Sequence, residues 1–184
     1  AIQKVRARTR SNIEVAFGMW NSNCFQEGIN RLAAQDSSID HIAVVPLFIS
    51  SHSAVIEMQK YIFGVRKDKI IPLPMVHPVS FSGKLTYEKA IDYSTDISRI
   101  LAIKTGRILN EEPIPRNMGL YEVIIVMHGP VSEEDNAYWM DMGVRYAGDV
   151  ERTWQLGGSH AISLRDDAED DVRHQATLKL RSKV

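Results

Sequence analysis

The run Val123-Ile124-Ile125-Val126-Met127 constrains this chain most, because it is unbroken, largely β-branched and ends at His128-Gly129-Pro130. Consecutive apolar residues of this kind suit a strand buried on both faces, as in a parallel sheet, and Gly-Pro stops it. The imidazole then stands at the carboxyl end of the strand, where open α/β folds keep their binding crevices. A second run, Ile42-Ala43-Val44-Val45-Pro46-Leu47-Phe48-Ile49, ends in Ser50-Ser51-His52-Ser53. Two strand-end histidines are the beginning of a metal or proton-transfer site.

Composition narrows the classes. A chain of 184 residues can bury a substantial core, as one domain or as parts of two. Lys+Arg of 22 against Asp+Glu of 23 leaves a net charge of −1, which gives no electrostatic reason to expect nucleic acid or an anionic membrane as partner. No apolar stretch approaches the roughly 20 residues that span a bilayer. The one cysteine, Cys24, forms no internal disulfide, which fits a reducing, cytoplasmic setting. The basic start, Ala1 to Arg10, reads as the exposed end of a helix rather than a transit peptide.

Short β-rich runs alternate with helical patterns, the mark of βα units and a largely parallel sheet. The pattern predicts strands over Ile13–Phe17, Ile42–Ile49, Ile70–Val76, Val123–Met127 and Ala161–Leu164. Helices are expected over Cys24–Ala34, Ser53–Phe63 with Ser53 as a cap, Thr86–Leu109, Ser132–Arg152 and from Glu169 to the end. Ile91, Ile97, Ile100, Leu101 and Ile108 would form the buried stripe of the third of these. Ser132 followed by Glu133, Glu134 and Asp135 is a strong helix start, because the serine caps and the acids meet the positive end of the dipole. His77 to Gly83 reads as a loop.

Pro113 and Pro115 mark a linker, so the reading is two related α/β repeats, each incomplete here. Residues 1–112 would be the first domain without its opening strand, and 113–184 the first half of the second. The Ile13–Phe17 strand with the Cys24 helix would correspond to Ala161–Leu164 with the final helix. On this reading the chain is a piece of a longer protein.

The residues Val44-Val45-Pro46-Leu47-Phe48-Ile49-Ser50-Ser51-His52-Ser53, with Val55-Ile56 after them, resemble the strand-and-turn signature of the class II tetrapyrrole chelatases, the CbiX-type sirohydrochlorin cobaltochelatases and ferrochelatases. Met127-His128-Gly129-Pro130, with Glu133-Glu134-Asp135-Asn136 and Trp139, is similar to the first-strand motif of a second repeat in that family. Leu164-Arg165-Asp166-Asp167-Ala168 and Val172-Arg173 resemble its next strand and helix. The resemblance implies flavodoxin-like α/β domains, parallel sheets with flanking helices, facing a tetrapyrrole cleft. It implies a lyase of the metal-chelatase type, acting on sirohydrochlorin or a related tetrapyrrole in cobalamin or siroheme biosynthesis. The divalent metal, Co²⁺, Fe²⁺ or Ni²⁺, would be a substrate and no permanent cofactor would be held. A homo-oligomer is compatible with this reading.

Metal insertion needs loss of two pyrrole protons and delivery of a partly desolvated cation. An imidazole can bind the metal or accept a proton near neutral pH. The resemblance assigns His128 the catalytic and metal-binding role, His52 a second metal-binding role, and Ser50, Ser51 and Pro130 contact with the tetrapyrrole. In small members of the family the histidine stands eight residues after the proline. Here that position is Ala54, and His52 is six after Pro46.

Blander readings compete. Without the family, a strand-end His-Gly reads first as a loop element, and serines after a strand are more often turn and cap residues. His77 precedes Pro78 and suits a turn, while His41, His160 and His174 suit the surface. Cys24 suits packing. Asp166, Asp167, Glu169, Asp170 and Asp171 fit an acidic helix start better than a metal cluster. Neither GxGxxG nor GxxxxGK[ST] is present. The rival function is a non-catalytic metal or tetrapyrrole carrier on the same fold. A hydrolase with His128 as base lacks a G-x-S-x-G elbow.

Overall fold

The computed structural model describes residues 2–9, 11–111 and 117–183, so the linker prolines Pro113 and Pro115 lie outside the described residues. Among the described residues the chain is mixed α/β, with six α-helices and two parallel two-stranded sheets. It divides into two compact units, one of Ala1–Leu47 with Ala54–Lys89, the other of Phe48–Ser53 with Ala90–Val184. No described helix is long and apolar enough to cross a membrane.

The first unit holds α1 (Ile2–Thr9), α2 (Ser22–Gln35), β1 (His41–Val44), α3 (Ala54–Ile62) and β2 (Lys84–Tyr87). Asn21 starts α2 by accepting the Asn23 N–H at 3.1 Å. β1 and β2 pair in parallel, with Ile42 opposite Leu85. Phe25 and Ile29 of α2 pack with Ile42, Met58, Ile62, Phe63 and Val76 into one core. The Phe25 and Phe63 rings stand 5.1 Å apart at 57°. Gln59 is buried in this apolar setting because both ends of its amide are used: Nε2 donates to the Met19 carbonyl at 2.8 Å and Oε1 accepts the Tyr87 hydroxyl at 2.7 Å. Cys24 is half-buried in the first turn of α2.

Three expected strands change here for local reasons. Ile42–Ile49 is ladder only as far as Val44, since Pro46 has no N–H to offer and Leu47 is exposed. Ile13–Phe17 forms no strand, because arginine side chains take its carbonyls: Arg6 donates to Ile13 and Arg31 to Val15. Ile70–Val76 forms none either. Pro72 and Pro74 interrupt its donors, and a turn closes with Val76 N–H on the Leu73 carbonyl at 3.1 Å. The partner of β1 is instead Lys84–Tyr87, whose last two residues were expected to open the Thr86–Leu109 helix. His77–Gly83 is a loop as expected.

The second unit holds α4 (Thr95–Glu111), a 3₁₀ turn at Met118–Leu120, β3 (Glu122–Met127), α5 (Glu133–Trp154), β4 (Gly158–Ser163) and α6 (Asp170–Arg181). β3 and β4 are parallel, registered from Glu122 opposite Gly158 to Met127 opposite Ser163. Each sheet has two strands among the described residues, so β1 and β3 are parallel as expected but not central. α5 starts where the sequence places it: the Ser132 hydroxyl accepts the Asp135 N–H at 3.1 Å. Its buried face, Met142, Tyr146, Ala147 and Val150, covers the unit's core, with Gly143 giving room to Met127 and Ala161.

α4 begins nine residues later than expected, and its stripe is different. Ser98, Ala102 and Gly106 are buried, whereas Ile100, Ile103 and Ile108 are exposed. Trp154 of α5 explains the reversal. Its Nε1 donates to the Ala102 carbonyl at 2.8 Å and its ring lies over Gly106, so only small residues fit on that face of α4.

Candidate functional site

The second unit contains all five residues singled out as site residues: Ser50, Ser51, His52, His128 and Pro130. β3 carries the chain to His128, whose side chain is 56 % exposed. Gly129 follows with φ +79°, a conformation open to glycine, and packs so closely on Ser163 that an added Cβ would lie 1.9 Å from its hydroxyl. Pro130 is buried and leads into the Ser132 cap. The sharp turn therefore fixes where the imidazole emerges.

Arg165 locks this turn from the adjacent strand end. It is only 5 % exposed and has φ +58°. Its backbone N–H donates to the His128 carbonyl at 2.7 Å, and its Nε donates to the Pro130 carbonyl at 2.6 Å. Nη2 donates to the Val131 carbonyl, and Nη1 to Glu133 Oε1 at 2.9 Å. A buried guanidinium tolerates its setting only when its donors are matched, and here two carbonyls and a carboxylate match them.

The ring of His128 has two distinct nitrogens. Nδ1 lies 3.0 Å from the Gly129 carbonyl, which can only accept, so Nδ1 carries a proton, and in the neutral ring Nε2 has the lone pair. Nε2 faces Asp167 Oδ2 at 3.7 Å. That is too long for a hydrogen bond, but it puts a carboxylate beside the nitrogen that would gain a proton. Both side chains are more than half exposed, so the attraction is screened to about 1 kcal/mol or less.

His52 stands on a second loop of the same unit. Its ring stacks on Tyr138 with centroids 3.7 Å apart at 9°, and its Nδ1 lies 3.8 Å from Asp135 in the first turn of α5. Trp139 Nε1 donates to its carbonyl at 2.7 Å. His52 and His128 thus have different partners, Asp135 with Tyr138 for one and Asp167 for the other. Among the described residues no three of His, Cys, Asp and Glu converge as a metal-holding group.

The serine hydroxyls serve the loop. Ser50 is buried and its Oγ accepts the His52 N–H at 3.1 Å. Ser51 Oγ donates to Asp92 Oδ2 at 2.8 Å and accepts the Ala90 N–H at 3.2 Å, while the Ser51 N–H donates to Asp92 Oδ1 at 2.6 Å. Asp92 has φ +51°, and its carbonyl accepts the Tyr146 hydroxyl at 2.8 Å. The Tyr146 hydroxyl is held above its ordinary pKa, chiefly by burial, and remains a donor.

Three other histidines have local roles. The His77 N–H donates to Ser22 Oγ at 2.9 Å and its carbonyl accepts from that hydroxyl at 2.6 Å, which ties the loop to α2. His41 meets Thr86 Oγ1 at 3.0 Å, and His160 meets Glu122 Oε2 at 2.8 Å. Sequence reading missed Arg165, Asp167, Asp92 and Tyr138 as parts of the site. A single arginine directly after a strand and before an acidic run was the one available signal for the first two.

The chain matches no family model, no curated protein and no solved structure.

Proposed function

We propose that this chain is class II chelatase-like, with flavodoxin-like domains, and acts as a lyase that inserts a divalent metal, Co²⁺ or Fe²⁺, into sirohydrochlorin or a related tetrapyrrole. The observation that supports it best is the exposed His128 at the carboxyl end of a parallel strand, with Nε2 free and a carboxylate beside it. Such a nitrogen can accept a pyrrole proton as the cation enters, and the resulting imidazolium has Asp167 for a counter-charge. Alternatively it ligates the cation through the same lone pair. His52, stacked and partly covered, serves the metal from the second loop. The tetrapyrrole and the metal are both substrates on this reading.

The test is metal insertion followed by the tetrapyrrole absorption spectrum, with wild type and His128→Ala compared. The variant should lose about 10²- to 10⁴-fold in rate, the usual cost of a general base. A variant His160→Gln, altered in the body of β4, should keep the wild-type rate. Equal rates for wild type and His128→Ala overturn the assignment; if tetrapyrrole still binds and neither protein turns over, the carrier reading replaces it.

A further inference from the structure

Arg165 is the one strongly buried guanidinium among the described residues, and the hydrogen bonds it donates all go to the segment from His128 to Glu133. A guanidinium at such a position is hard to explain by stability alone. An arginine removed from water carries a desolvation penalty that an apolar side chain of similar volume avoids. Its backbone is also left-handed, which is unfavourable for a residue with a long side chain. Two unfavourable features at one residue point to a requirement of the turn that it grips.

That requirement can be read from the acceptors. The backbone N–H of Arg165 holds the carbonyl of His128, the guanidinium holds the carbonyls of Pro130 and Val131, and Gly129 lies between them. With both flanks of Gly129 fixed, its own carbonyl is aimed at His128 Nδ1, 3.0 Å away. That contact decides which ring nitrogen carries the proton. The same short turn that places Arg165 also delivers Asp167 to the opposite nitrogen, Nε2, at 3.7 Å.

We propose that Arg165 is a positioning residue for His128: by clamping the 128–131 turn it holds the ring in the tautomer with Nδ1–H and leaves Nε2 free for the reaction. Its catalytic meaning rests on the reading of His128 given above, but the tautomer itself does not. In free histidine the other tautomer, with the proton on Nε2, competes. Without the clamp the Gly129 carbonyl turns away and that competition returns. Lysine cannot substitute, because one ammonium does not reach three acceptors in a planar fork.

The experiment is ¹⁵N NMR of the imidazole nitrogens in the full chain, wild type against Arg165→Lys, with thermal melts of both. Wild-type His128 should give a proton-bearing Nδ1 and a bare Nε2. In Arg165→Lys the two shifts should move toward each other as the tautomers mix, while His160 keeps its wild-type shifts. The rate of metal insertion should fall about 10- to 100-fold in kcat with little change in KM, as for a misplaced rather than a missing group. Unchanged His128 shifts in a variant that melts like wild type overturn the proposal. Should Arg165→Lys not fold, Glu133→Ala removes only the acceptor of Nη1, and partial mixing is then expected; none overturns it. If the tautomer shifts while wild type and His128→Ala insert metal equally, positioning stands and the functional reading fails.

Discussion

Trp154 lies over Gly106 so closely that a Cβ on the glycine would come within 2.2 Å of its ring, while its indole N–H donates to the Ala102 carbonyl at 2.8 Å. Alanine in mid-helix gains roughly 1 kcal/mol over glycine in propensity. Overpacking against a ring already fixed by a hydrogen bond costs roughly 1–3 kcal/mol. Gly106→Ala should therefore be destabilising on balance, and Gly106→Leu more so, in denaturant melts. Trp154→Phe in the same background should relieve part of the loss.

Asp149 links the same two helices by accepting from the Ser98 and Tyr93 hydroxyls, the latter at 2.6 Å, and from Arg152. The Ser98 hydroxyl, then that of Tyr93, hold its carboxyl below the ordinary value, against the effect of burial. A lowered native pKa stabilises the fold above the unfolded value of 3.8 and loses that contribution as pH falls through the native one. Asp149→Ala should cost about 2–3 kcal/mol at pH 7. Between pH 5 and pH 2.5 the variant should lose less stability than wild type, which melts across that range will measure.

Gly129 and Ser163 make a second close pair. Gly129→Ala should cost about 2–4 kcal/mol, the sum of a left-handed backbone and a collision with the serine hydroxyl. Ser163→Ala should behave in the opposite way. Its Oγ is buried with no hydrogen-bond partner among the described residues, so its removal should be neutral or stabilising by up to about 1 kcal/mol. In the double variant, Ser163→Ala should recover part of the Gly129→Ala loss, as a double-mutant cycle reads directly.

His52 should matter less to turnover than His128. Its ring is covered on one face by Tyr138, and its loop is held independently of the His128 turn through Ser51 and Asp92. His52→Ala should lower metal insertion several-fold where His128→Ala lowers it about 10²- to 10⁴-fold. Tyr138→Leu should shift the His52 ring protons downfield by removing the aromatic ring current, with His128 unaffected.

What could be read in the sequence was what depends on neighbours along the chain. The Ser132 cap with its acidic first turn, and the β-branched run of β3, carry their signals within a few residues. The α4 stripe does not. Isoleucines suggested the buried face, but the contact was selected by the width of Trp154, and hydropathy carries no mark for a helix that buries Ser98, Ala102 and Gly106. Ile13–Phe17 has strand composition, yet its carbonyls were claimed by arginines 7 and 16 residues away. At the site, His128 and its exposure were legible because the strand ends there. Arg165 and Asp167 were not, since their relation to His128 exists only once β3 and β4 are in register.

Cys24, half-buried at the start of α2, is the chain's one thiol and belongs to the first unit. A thiol reagent added during unfolding will therefore time the opening of that unit alone, with no cysteine to be removed and none to be introduced. Trp139 and Trp154 lie in the other unit, so with Trp20 of the first replaced by phenylalanine the indole fluorescence belongs to that other unit. One native thiol and one Trp20→Phe exchange thus provide two separate clocks, by which the order in which the two units come apart can be measured.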